Sequence, residues 1–199
     1  KKPTVQDKPI VPQNLELPKT EAKRGKINIE AIDIISTKTA ENISPEERDI
    51  LRKYTGWGGF TSTDKWTQKI KQPQFEITEY SILYEYYTPL ELTYSIANIV
   101  KGIIDTEPKE LLRVPKWKNQ YLALEPSAGI GRFIEPLYDN GISWKAVEPS
   151  IQSSKILMAL YPKVNISLEK FDSWAQQNNP IGIYSMVIAN PPYKKRGDE

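Results

Sequence analysis

The chain has 199 residues, 39% hydrophobic and 26% charged, with a formal net charge of +2, enough for one domain with a real core. No apolar run approaches the ~20 residues of a membrane-spanning helix, and no signal peptide is visible. Cysteine and histidine are both absent, which removes disulfides, thiolate nucleophiles, imidazole bases and nearly every zinc or iron site; with no clustered acidic loop for a hard cation, no metal site is expected. Residues 1–26 carry four prolines and many charges without apolar periodicity, and read as a flexible arm or linker.

Residues 27–118 read as a helical N-terminal extension. A helix is expected over Ile29–Ile35. Ser44 is an N-cap, with Pro45 at the first helical position and Glu47 at the third; this capping box opens a helix that runs to about Tyr54. Gly56-Trp57-Gly58-Gly59 ends it, and Trp57 is either a packing anchor for these helices or a surface near a ligand mouth. Thr88-Pro89-Leu90-Glu91 repeats the capping logic, and positions 90, 93, 96, 97 and 100 give the next helix a stripe for burial. Tyr84, Tyr86 and Tyr94, at helical spacing, read as core. From 119 onward strands at 121–125, 143–148, 164–168 and 182–189 alternate with helices at 132–139 and 151–160. That order predicts an α/β, doubly wound, Rossmann-like parallel sheet with right-handed crossovers.

Two strand ends carry the chemistry. Leu122-Ala123-Leu124-Glu125-Pro126-Ser127-Ala128-Gly129-Ile130-Gly131-Arg132-Phe133 is an apolar strand, a Gly-rich turn and a helix start. Gly129 and Gly131 allow positive φ and close approach of a ligand. A dinucleotide fingerprint wants a third glycine where Ile134 stands, and Glu125 suits an ammonium group better than a pyrophosphate. The next strand ends in Glu148, 17 residues after Gly131, where doubly wound folds place an acid on ribose hydroxyls. Alone, a Gly-x-Gly turn is often only a tight turn, and Glu148 could be a solvated strand end. The second feature is Asn190-Pro191-Pro192-Tyr193 after the run Met186–Ala189. Two prolines stop the strand and leave a rigid turn with an amide, a carbonyl and a ring, hardware for gripping a planar amino group. That hardware points to methylation of an exocyclic or side-chain amine, and a polar amide between an apolar strand and two prolines has no obvious structural need.

This ordered set resembles the S-adenosylmethionine-dependent N6-adenine DNA methyltransferases. Tyr86-Tyr87-Thr88-Pro89, about 35 residues before the Gly turn, is similar to that family's N-terminal cofactor motif, and the order of motifs is that of its gamma arrangement. Ser44 to Phe60 is similar to a segment preceding the methylase domain in large phage and mobile-element proteins, some fused to helicases. The resemblance spans roughly residues 28 to 196. It implies S-adenosyl-L-methionine as cofactor, duplex DNA as partner, and a helicase or target-recognition region in the same parent polypeptide. Residues 119–199 then correspond to the N-terminal half of the methyltransferase domain, with the sheet incomplete at the C-terminus and the chain part of a longer protein.

The resemblance also distributes roles. Backbone groups from Ala128 to Gly131 would line the methionine portion, Glu125 its ammonium and Glu148 the ribose. Asp172, with Phe171 against the ring, would meet the cofactor's adenine, although a helix N-terminus wants an acid there in any case. Tyr87 and Thr88 would close the methionine end, while Thr88 also reads as a plain N-cap. At the reacting end, the Asn190 side-chain oxygen and the Pro191 carbonyl would accept both hydrogens of the target amine, directing its lone pair in line with the methyl group. Pro192 would stiffen the turn and Tyr193 stack on the flipped base. The same four residues serve amino methylation of protein glutamine and RNA guanine, which keeps that acceptor class open beside a non-catalytic cofactor-binding fragment. Lys109 to Lys118, with four cations against one acid, and Lys194-Lys195-Arg196 are either solvated faces or phosphate contacts. The expected compartment is the cytoplasm, at the nucleoid.

Overall fold

The computed structural model describes residue 12, residues 15–106 and residues 121–192. Four short strands, β1 (Tyr121–Glu125), β2 (Ile142–Val147), β3 (Asn165–Ser167) and β4 (Met186–Val187), form an all-parallel sheet in the order β3-β2-β1-β4. Ala123 pairs with Trp144 and Met186, and Val147 with Ser167, so the C-terminal ends of the strands lie side by side. Successive side chains of a strand point to opposite faces. Ala123, Trp144 and Ala146 enter the main core, while Leu124 and Val147 face a smaller cluster around Trp174. The α/β parallel architecture expected from the alternating elements is the one observed.

The helices in chain order are α1 (Glu21–Thr37), α2 (Pro45–Arg52), α3 (Asp64–Thr67), α4 (Glu79–Tyr84), α5 (Leu90–Thr106), α6 (Ile151–Leu160) and α7 (Phe171–Asn178). The α2 capping box is complete: the Ser44 hydroxyl accepts from the Glu47 N–H, and the Glu47 carboxylate accepts from the Ser44 N–H at 2.9 Å. Helices α1 and α2 pack on α6, so the N-terminal extension and one face of the sheet share a core. Among the described residues no helix is long and apolar enough to cross a membrane.

Several elements differ from expectation, each for a physical reason. Helix α1 begins at Glu21, inside the segment read as an arm, with the Thr20 side chain accepting from Lys23 N. Its first turns are held by polar contacts that leave no apolar period: Arg24 donates to the Gly58 carbonyl at 2.8 Å and Asn28 to the Gly56 carbonyl at 2.7 Å. The helix expected over 132–139 is a series of turns with a 3-10 segment at Glu135–Leu137, since Pro136 lacks the N–H an α-helix needs. Helix α2 ends at Arg52 with Lys53 as its C-cap, within two residues of the expected end near Tyr54. Helix α7 is anticipated only as a helix start beside Asp172; its extent leaves no apolar period because one residue, Trp174, is buried. Strand β4 covers two residues rather than 182–189, because only Met186 and Val187 pair with β1.

Candidate functional site

The site is built at the C-terminal edge of the sheet, where open α/β sheets bind ligands. After β1 the chain turns through Gly129 (φ +54°) and Gly131 (φ +83°), and the Ala128 N–H donates to the Val147 carbonyl, fastening the turn to β2. A Cβ on Gly129 would lie 2.6 Å from the Tyr87 ring, and one on Gly131 2.9 Å from Tyr161. Gly129 therefore lets Tyr87 lie on the turn, whereas the Gly131 requirement is set by core packing. Tyr87 is anchored by a 2.7 Å hydrogen bond between its hydroxyl and that of Ser153 on α6.

Glu148, just past β2, is buried and accepts from the Gly129 N–H at 2.7 Å and the Ser150 N–H at 2.8 Å. Burial, reinforced by the Glu85 charge, pushes its carboxyl up to about 7 against those two bonds. A carboxylate has about four lone-pair sites, so two bonds leave acceptor capacity. Glu125 is 2% exposed, its Oε2 has no hydrogen-bond partner, and burial with the nearby Glu148 charge raises its carboxyl well above the ordinary range. The Ser127 hydroxyl, in the same turn, is also buried without a partner. Ionising this carboxyl out of water without a counter-charge is costly, and a cation bound at this point would favour its ionised form.

The Asn-Pro-Pro turn reaches the same edge. Ile188 N–H donates to the Leu124 carbonyl, which carries the chain to exposed Asn190, Pro191 and Pro192. Asn190 Nδ2 donates to the Thr88 hydroxyl at 3.1 Å, across 102 residues. Tyr87 thus lies on the Gly turn, whose Gly129 N–H reaches Glu148, and the adjacent Thr88 reaches the Asn-Pro-Pro turn. Phe171 and Asp172 are not brought into this group: Phe171 packs on Trp174 (centroids 5.8 Å apart) in the smaller cluster, and Asp172 is exposed in the first turn of α7. Tyr193 and the two basic segments, Lys109–Lys118 and Lys194–Arg196, lie outside the described residues.

Two features escaped the sequence reading. Glu85, buried behind Tyr86-Tyr87, accepts from the Trp57 N–H and the Tyr54 hydroxyl at 3.3 Å, and from the Ser150 hydroxyl at 3.0 Å. Gln152 accepts from the Trp57 indole (3.0 Å) and the Tyr54 hydroxyl (2.7 Å) and donates to the Phe75 carbonyl. Trp57 is fully buried, so the glycine-flanked tryptophan is a packing anchor, and through Glu85 and Ser150 it braces the Glu148 loop. An acid inside the aromatic run Tyr84-Glu85-Tyr86-Tyr87 was the available signal. The second is a cavity of about 360 Å³ beside that loop, walled by Tyr80, Pro149, Ile151, Thr78, Ser81 and Lys170. Burial, with the Glu148 and Glu85 charges adding to it, raises the Tyr80 hydroxyl pKa.

The raised acids predict an unusual pH dependence of stability. Between 4.5 and about 7 the folded protein keeps a proton on Glu148 that the unfolded chain has released, so stability falls as pH rises through that window. Glu148 alone corresponds to roughly 3 kcal/mol, and Glu85 and Glu125 act in the same direction. Urea midpoints should therefore be higher at pH 5 than at pH 8; a midpoint that climbs with pH would contradict the burial of these carboxyls. No protein-family model matches the chain, and no curated protein matches it.

Proposed function

We propose that this chain binds S-adenosylmethionine at the ends of β1 and β2 and transfers its methyl group to the N6 amino group of adenine in DNA. The observation that carries the reading is the convergence on one sheet edge of the Gly turn, two buried acids and the Asn-Pro-Pro turn, tied together by Tyr87 and Thr88. The residues fit the cofactor. Partnerless Glu125 Oε2 matches an ammonium group, Glu148 retains acceptor capacity for ribose hydroxyls, and the Tyr80–Pro149 cavity offers a wall for a purine. S-adenosylmethionine, when bound, supplies an electrophilic methyl group on a sulfonium.

The chain's own contribution is alignment. The lone pair of an aromatic amine is delocalised into the ring, which makes it a poor nucleophile. Hydrogen bonds from its two N–H groups to the Asn190 side-chain oxygen and the Pro191 carbonyl favour a pyramidal nitrogen with a directed lone pair. Holding reactants in line is worth several kcal/mol of barrier without any strong base. The adenine leaves its base pair to reach this turn, with Tyr193 stacking on it. On this reading the macromolecular partner is duplex DNA, and the working compartment is the cytoplasm at the nucleoid.

Equilibrium titration tests the cofactor half. S-adenosylhomocysteine should bind and NAD should not. Glu125→Gln, which removes the charge but keeps the shape, should weaken S-adenosylhomocysteine about tenfold or more, the scale of a hydrogen bond to a charged group. Equal affinity in wild type and variant would remove Glu125 from the site, and NAD binding would point to a dinucleotide enzyme.

A further inference from the structure

The Thr88 hydroxyl has two possible employments, and the structure favours one that the motif alone does not suggest. Thr88 is buried, sits immediately before Pro89, and has its hydroxyl turned to the Asn190 amide at 3.1 Å. A residue before proline is held near extended backbone, and a β-branched side chain has few χ1 choices. The oxygen that meets Asn190 is therefore fixed at the start of α5, a 17-residue helix. Asn190, by contrast, stands on an exposed turn, past the two-residue strand β4. The better-anchored partner of the pair is Thr88.

We infer that Thr88 is a positioning residue for Asn190: its hydroxyl takes the amide NH2, which turns the amide oxygen to the opposite side, toward the substrate amine. This rests on the proposed amino-methyl transfer. An asparagine amide is nearly symmetric in shape, so packing alone distinguishes its two flips poorly, and the wrong flip would present a donor to a donor. The preceding residue extends the argument. Tyr87 lies on Gly129 in the cofactor turn, so one dipeptide touches both halves of the site and sets their relative position.

Thr88→Val keeps the shape and removes the hydroxyl; Thr88→Ser keeps the hydroxyl. The expected result is a fall in kcat of about tenfold or more in Thr88→Val, with S-adenosylhomocysteine affinity within about twofold of wild type and kcat restored in Thr88→Ser. A weaker affinity with kcat unchanged at saturation would assign the hydroxyl to the cofactor and overturn the inference. Equal losses in both variants would assign the effect to packing and also overturn it. Hydrogen exchange of the Asn190 side-chain NH2, followed by NMR without any turnover, separates this idea from the function beneath it. Protection present in wild type and Thr88→Ser but lost in Thr88→Val supports the inference even if no methyl group is transferred. Equal exchange in all three overturns it even if the enzyme is active.

Discussion

Asn190→Ala should abolish methyl transfer, lowering turnover at least ~100-fold, the scale seen when one preorganised hydrogen-bonding group is removed from a reacting centre. Cofactor affinity should stay within about twofold, because Asn190 stands on the exposed turn after β4 and its side chain donates to Thr88. Stability should change little as well, since Asn190 is exposed. Single-turnover assays with saturating S-adenosylmethionine read the first quantity and titration the second. A variant with unchanged turnover would remove the Asn-Pro-Pro turn from the chemistry.

Gly129→Ala should produce the complementary defect, a loss of cofactor affinity of about 100-fold or more. Two effects combine. A non-glycine residue at φ +54° costs about 1–3 kcal/mol, and the new Cβ would sit 2.6 Å from the Tyr87 ring, closer than real contacts allow. Tyr87 must then move, which strains its bond to Ser153, and the Gly129 N–H is pulled from Glu148. Gly141 is the control: its φ is +69° but a Cβ there meets nothing within 4 Å. Gly141→Ala should therefore cost stability through the backbone alone and leave binding unchanged. If the two variants bind S-adenosylhomocysteine equally well, the Tyr87–Gly129 wall is not part of the cofactor site.

What could be read in the sequence depended on how local the physics was. The α2 capping box lies within four consecutive residues and was legible in full. The parallel sheet was legible because short strand patterns at 121–125 and 143–148 alternate with a helical one at 151–160, and β1, β2 and α6 form there. The start of α1 was not, because Arg24 and Asn28 hold it through carbonyls about 30 residues away and leave no apolar period. The Glu85–Gln152 brace was hidden for the same reason: its bonds join Trp57, Phe75 and Ser150 across three separate segments. Expected site residues divide along this line. Glu125, Gly129 and Glu148 sit at strand ends whose neighbours the fold class already implies, and the structure gathers them. Thr88 could be read as a cap or a cofactor contact, but its bond to Asn190 spans 102 residues and had no local trace. Phe171 and Asp172 followed a strand-end rule that α7 displaced, turning Phe171 toward Trp174.

The most direct measurement is mass analysis of nucleosides from unmethylated duplex DNA incubated with the protein and S-adenosylmethionine carrying a deuterated methyl group, with a glutamine peptide and RNA as parallel acceptors. The account predicts deuterated N6-methyldeoxyadenosine from the DNA, and none with Asn190→Ala. Label on glutamine or guanine instead, or label on no acceptor while the cofactor binds normally, would contradict it.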